Sequence, residues 1–256
     1  MKTLTRKLST ILSAPFHSRN YVAAANMLRI YEKPWDAYAR YLLGSGSYPA
    51  VIRTRTPTGA LPLTVWSAHD VLTVNEIFCR HDYPARREDS VFVDFGSNIG
   101  ISGAYFLSRG PNSFAYLFEP LPQNIDRLRH NLRGFEERYS LEVAAVGLQR
   151  GEVQFGYEET GRYGGIGRNT GRYVSVPCLD SNEVLTTILA RHGHIDVLKI
   201  DIETLERQVT ERIPLEMRRQ IARIYVEHPF TGNPLSETHT YRQYSLVAQF
   251  FLQAQA

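Results

Sequence analysis

The stretch Asp94-Phe-Gly96-Ser97-Asn98-Ile-Gly100 sets an acid, two glycines and two small polar residues close together. An apolar run, Val91-Phe-Val, leads into it and a helix-like run follows. Open α/β sheets bind ligands at such turns, outside the carboxyl ends of their strands. Gly96 allows a sharp turn with no Cβ in the way, and Gly100 lets the helix sit close to ligand and sheet. The free N–H groups of that helix suit a carboxylate, and Asp94 suits an ammonium group. Glu119, in Phe118-Glu119-Pro120, follows at the spacing of about 20 residues from which an acid accepts both hydroxyls of a ribose. Pro120 fixes the chain direction just after it. Each residue has a plainer use, Asp94 as a helix cap and Glu119 as a surface acid. Their order along the chain carries the nucleoside reading.

A dinucleotide would want G-x-G-x-x-G, because two phosphates must approach the backbone. Here Asn98 takes the second glycine's place and an acid precedes the first. A carboxylate repels a pyrophosphate and attracts a methionine ammonium. No G-x-x-x-x-G-K-[ST] loop occurs. The charge pattern therefore favours S-adenosylmethionine over the NAD of an oxidoreductase.

Methyl transfer is an in-line displacement that needs a nucleophile held about 3 Å from the methyl and relieved of its proton. Ile195-Asp-Val-Leu-Lys-Ile200 reads as the fourth strand, beside the first. Its carboxyl end carries Asp201 and Glu203, which face one way if the strand continues and split if a helix begins at once. Asp201 is expected to contact the acceptor hydroxyl or the cofactor, with Glu203 assisting. Lys199 shares a strand face with Asp201. It either holds that carboxylate ionised or pairs with a buried acid for structure, and the second reading is favoured. His228 ends the fifth strand and is a candidate base, since imidazole titrates near neutrality; an edge histidine is the alternative. Asp201, Glu203 and Glu227 would suit Mg²⁺ chemically, but no ligand spacing signals a metal and none is expected.

These residues need a scaffold. From Ser90 onward strand-like and helix-like segments alternate: helices over 98–109, 122–132 and 203–212, and strands over 113–118, 141–146, 195–200 and 221–226. That alternation predicts an α/β, Rossmann-like domain with a mostly parallel sheet and helices on both faces, over 86–256. Residues 151–182 interrupt it. They are read as a β-excursion with a Gly-rich tip that carries Tyr157, Arg162, Tyr163, Arg168 and Tyr173, a lid over a polar ring; a plain flexible loop is the competing reading. Residues 236–253 look helical, which leaves further edge strands either missing or replaced by an irregular substitute. Residues 1–85 form an extension with a substrate or cap role: helical signals over 21–43, a loop at 44–49, a hairpin over 51–66 and a helix over 69–78. The first residues, as far as Pro15, read as a helix or flexible end rather than a signal peptide.

A net charge of +3 over 256 residues argues for no nucleic-acid partner. No apolar run approaches a membrane span of roughly 20 residues, so no stable membrane insertion is expected. Two cysteines without a CxxC fit a reducing, cytoplasmic setting.

The motifs resemble the FkbM family of methyltransferases. The resemblance rests on Val93-Asp-Phe-Gly-Ser-Asn-Ile-Gly100, Phe118-Glu-Pro120 with Asn124 and Asn131, Ala144-Ala145-Val-Gly147, and Asp196-Val-Leu-Lys-Ile-Asp-Ile-Glu203 with Glu206. It spans residues 70–228. It implies O-methylation of a hydroxyl on a sugar, glycolipid, polyketide or related metabolite, and it adds Ala145 to the cofactor residues. The family usually places glycine after the second acid, where this chain has Thr204. A catalytically silent binding domain is the alternative that this departure favours.

Overall fold

The computed structural model describes residues 18–158, 161 and 163–254. Arg162 and the expected helix or flexible end before Pro15 lie outside them. The chain divides into two compact units, Met1–Pro84 and Ala85–Ala256. Among the described residues no helix is long and apolar enough to cross a membrane.

The first unit holds helices α1 (Ser18–Ile30) and α2 (Pro34–Leu43), the hairpin β1 (Ala50–Thr56) and β2 (Gly59–Val65), and helix α3 (Ala68–Val74). The helical signal over 21–43 breaks in two at Pro34. Proline disfavours helical geometry in the residue before it, and Lys33 sits at φ −117°, ψ 76°. Ser67 and Asp70 form a reciprocal cap at the start of α3. A π-helical turn, Asn75–Cys79, continues it.

The second unit is built on β3 (Val91–Phe95), β4 (Phe114–Phe118), β5 (Tyr139–Glu142), β10 (Val197–Ile200), β11 (Arg223–Val226), β12 (His239–Tyr244) and β13 (Val247–Leu252). They form one sheet in the order β12-β13-β11-β10-β3-β4-β5. From β5 to β11 the strands run parallel. β13 and β12 close the sheet antiparallel. Strands β3, β10 and β11 are buried at every position, as expected for parallel strands covered on both faces. The intervening helices are α4 (Ile101–Leu107), α5 (Pro122–Asn131), α6 (Ser181–His192), α7 (Glu206–Glu211) and α8 (Leu215–Arg218). The chain starts at β3, builds outward to β5, and returns to the other side of β3 at β10. The strand order therefore reverses between β3 and β10, the place where open α/β sheets take their ligands.

Three expectations are corrected. The predicted C-terminal helix over 236–253 is a hairpin. Its β-branched and aromatic residues favour a pleated surface, Ser245 turns at φ +54°, and Ala248 and Phe250 are buried. The edge strands are thus present. The strand predicted over 141–146 ends at Glu142, and β6 (Ala145–Gly147) joins a second sheet of order β6-β9-β7-β8. There β7 is Gly151–Tyr157, β8 is Gly164–Ile166 and β9 is Tyr173–Asp180, so residues 151–180 do form a β-excursion. Finally, the helices predicted from 98 and 203 start at Ile101 and Glu206. Asn98 and Gly100 hold φ of +48° and +81°, and Glu203 and Thr204 hold +56° and +143°, none of which continues a helix.

Candidate functional site

The turn after β3 is fastened to the end of β4. The Phe118 carbonyl accepts from Gly96 N at 3.1 Å and Ser97 N at 2.9 Å. Ser97 Oγ donates to Asp94 O at 2.9 Å and accepts from Phe118 N at 3.1 Å. Gly96 holds φ +86°, and a Cβ on it would lie 1.8 Å from the Asp201 carbonyl oxygen. At this residue the turn after β3 therefore touches the chain leaving β10.

Below the turn, β10 pairs with β3 so that Lys199 stands opposite Asp94. Lys199 Nζ donates to Asp94 Oδ1 at 2.9 Å and to the Gly96 carbonyl at 3.0 Å. It lies 3.2 Å from Asp201 Oδ2. Ser102 Oγ donates to the other Asp94 oxygen. Burial alone would lower the Lys199 pKa, but Asp201 and Asp94 outweigh it and hold the ammonium above its ordinary value. Asp94 has no exposure, whereas the Asp201 side chain is 26% exposed. The three form one chain of charges with Asp201 as its open end, and the Asp94 carboxylate is turned inward. Ser102 belongs to no motif; its only signal in the sequence is a small hydroxyl residue in the apolar run of α4.

Glu119 leaves β4 into a buried pocket of donors. One oxygen accepts from Asn98 N at 2.9 Å; the other accepts from Leu121 N at 3.0 Å and Asn124 Nδ2 at 3.1 Å. Burial pushes its pKa up to about 7, against the pull of these donors and of Lys199. Ionising Glu119 thus costs stability: the contribution of the protonated form is full below the ordinary carboxyl range and is lost as pH rises through about 7. Pro120 is buried beside it. Asn124 Nδ2 also donates to the Gly161 carbonyl at 2.8 Å. Among the described residues, Gln123 Nε2 and Asn124 Oδ1 are buried with no hydrogen-bond partner, both close against Gly161. An unmet acceptor on Asn124, whose Nδ2 already reaches Glu119, and an unmet donor on Gln123 suit hydroxyls, each of which donates and accepts. Asn131 Nδ2 supports the same turn by donating to the Ile99 carbonyl at 2.9 Å. At Gly100 a Cβ would lie 3.0 Å from Leu128 of α5.

Past β10, Asp201 and Glu203 pair with different cations. Lys199 serves Asp201, and Arg168 of the excursion pairs with Glu203. Burial, then the charge of Asp201, raises the Glu203 pKa, with Arg168 opposing. His228 packs edge-on against Phe230, ring centroids 4.8 Å apart. It lines a cavity of about 280 Å³ with Arg207, Glu211 and Asn233. The segment holding it starts beside β10, because Glu227 N donates to the Ile200 carbonyl at 3.0 Å. Ala145 is buried in β6 opposite Cys178 and packs among Leu121, Phe155 and Val176. In the excursion Arg168 lies over the Tyr163 ring, and Tyr173 is exposed with its hydroxyl on Asn169.

A family model described as the methyltransferase FkbM domain matches residues 94–250, more than half of the chain. The AMB antimetabolite synthetase AmbE of Pseudomonas aeruginosa is 26% identical over 146 residues, which are 57% of this chain and 7% of that protein. The chain therefore spans a small fraction of that relative. Among solved structures, a methyltransferase from Geobacter sulfurreducens is 14% identical, with 65% of this chain and 72% of that one covered and a TM-score of 0.40. Methyltransferase FkbM from Methylobacillus flagellatus KT is 12% identical, with 92% and 62% covered and a TM-score of 0.41. Likeness at that level carries no weight beside the family match. That match opens at Asp94, takes in the turn, Glu119, Lys199 and Asp201, and closes on the last strand: the chain belongs to the FkbM methyltransferase family.

Proposed function

We propose that this protein is an S-adenosylmethionine-dependent O-methyltransferase acting on a hydroxyl of a sugar, glycolipid or secondary metabolite. The observation that carries the reading is the shared Lys199 ammonium. It ties the turn at Gly96 to Asp201, the one carboxylate of the charged chain that reaches solvent.

In this reading Glu119 receives the ribose hydroxyls, with Gln123 and Asn124 offering an unmet donor and acceptor. The turn from Gly96 to Gly100 lines the methionine portion, and Ser97 and Pro120 hold that wall in place. Ala145 contributes apolar surface from β6. Asp94 acts through Lys199, holding the ammonium that Asp201 and the Gly96 carbonyl share. S-adenosylmethionine, when bound, supplies an electrophilic methyl group. Asp201 orients the acceptor hydroxyl and takes up its proton as the oxygen attacks. Glu203 and His228 flank the acceptor, and Arg168 offsets the Glu203 charge. The silent-domain alternative draws on Thr204.

The test is turnover of S-adenosylmethionine labelled in the methyl group, offered a panel of hydroxylated acceptors. Asp201→Asn is expected to lower kcat about 100-fold or more, as loss of a general base does, while leaving S-adenosylhomocysteine binding within about threefold. Transfer by the variant at the native rate, or binding without turnover on any acceptor, contradicts the assignment.

A further inference from the structure

The excursion reaches back to the chain leaving β10 through three contacts. A Cβ on Gly165 of β8 would lie 2.0 Å from the Glu203 carbonyl oxygen, so the two backbones touch. Thr204 Oγ1 donates to the Ile166 carbonyl at 2.8 Å. Arg168, just beyond β8, pairs with Glu203. The Arg168 backbone is pinned from the other side as well, since a Cβ on Gly156 of β7 would lie 2.0 Å from its carbonyl oxygen.

Thr204 makes its contact from φ +143°. That conformation is open to glycine and costly for a β-branched residue. Glycine there would relieve the strain, but it has no hydroxyl to give Ile166. Strain that persists in a folded chain requires compensation from its surroundings. In this structure the compensation is a hydrogen bond that ties β8 to the end of β10.

We infer that Thr204 is a positioning residue: its hydroxyl clamps β8 against Glu203 and so delivers the Arg168 guanidinium to the reaction centre. The clamp stands on geometry alone. Its catalytic meaning rests on the reading that Asp201 and Glu203 face the acceptor.

The test uses the full chain carrying Thr204→Ser, Thr204→Val or Thr204→Gly, with amide exchange over residues 163–168, thermal melting and titration with S-adenosylhomocysteine. The serine variant keeps the hydroxyl and is expected to exchange as the native protein does. The valine and glycine variants lose it and are expected to exchange about three- to tenfold faster in that segment. The glycine variant is also expected to melt no lower than the native protein, because it sheds strain. Local protection and global stability then move apart, as expected when a strained residue holds a local hydrogen bond. If the valine variant does not fold, the glycine and serine pair decides the matter. Unchanged exchange in the glycine variant, or serine behaving as glycine does, overturns the clamp. Failure of the native protein to bind S-adenosylhomocysteine would instead remove the methyltransferase reading and leave the clamp standing.

Discussion

Gly96→Ala is expected to destabilise the Ala85–Ala256 unit by roughly 3–5 kcal/mol, at the upper end of what single substitutions do. Two effects combine. The residue holds φ +86°, a region where a Cβ costs about 1 kcal/mol. The new Cβ would also sit 1.8 Å from the Asp201 carbonyl oxygen. That carbonyl has little room to retreat, because Asp201 N donates to the Phe95 carbonyl at 3.0 Å and Glu227 N to the Ile200 carbonyl at 3.0 Å. Gly134→Ala is the control. Gly134 holds φ +91° with no atom within 4 Å of a built Cβ, so its variant is expected to lose only the conformational part, about 1 kcal/mol. Urea unfolding of both variants separates the two effects. Equal losses would mean that the close approach of the two backbones contributes nothing.

Lys199→Met is the second large effect. It strands Asp94 as a charge with no exposure and no cation, and breaking a buried pair from one side costs roughly 3–5 kcal/mol. The double variant Asp94→Asn, Lys199→Met removes both charges and is expected to recover most of that loss, since a buried pair replaced by neutral groups is close to neutral in stability. Asp201 lies at the open end of the network, so Asp201→Asn is expected to cost less than about 1 kcal/mol. A double-mutant cycle over Asp94 and Lys199, read by denaturant unfolding, gives the coupling directly. A single Lys199→Met loss below about 1 kcal/mol would show that the buried ammonium does not hold the turn and β10 together.

Much of this site could be read from residue order. Strand, glycine turn, helix and a second strand ending in an acid form a local pattern, and local patterns survive folding because each piece sits within a few residues of the next. The partner of Asp94 was harder to read. Nothing near Asp94 in sequence points to Lys199, which meets it only because β10 returns beside β3. The favoured reading of Lys199, pairing with a buried acid, describes half of what it does; it contacts Asp201 as well. The C-terminal hairpin reads as a helix in sequence because Tyr, Gln, Phe and Leu serve both states. The deciding feature, a positive φ at Ser245, depends on a non-glycine residue adopting a turn conformation that composition does not reveal. Thr204 misleads in the same way. A threonine after the second acid looks like damage to the motif, yet its hydroxyl has a specific partner in β8.

The most direct test of the central claim is calorimetric titration with S-adenosylhomocysteine, on the native protein and on Glu119→Ala, at pH 6 and at pH 8. Glu119 titrates near 7 because it is buried. Ribose hydroxyls donate best to its ionised form, so binding by the native protein is expected to be tighter at pH 8 than at pH 6, by up to about tenfold per pH unit below 7. Micromolar binding with that pH dependence, weakened at least about 30-fold and made flat with pH in the variant, is the predicted result. Native protein that does not bind, or a variant that binds as the native protein does, would contradict it.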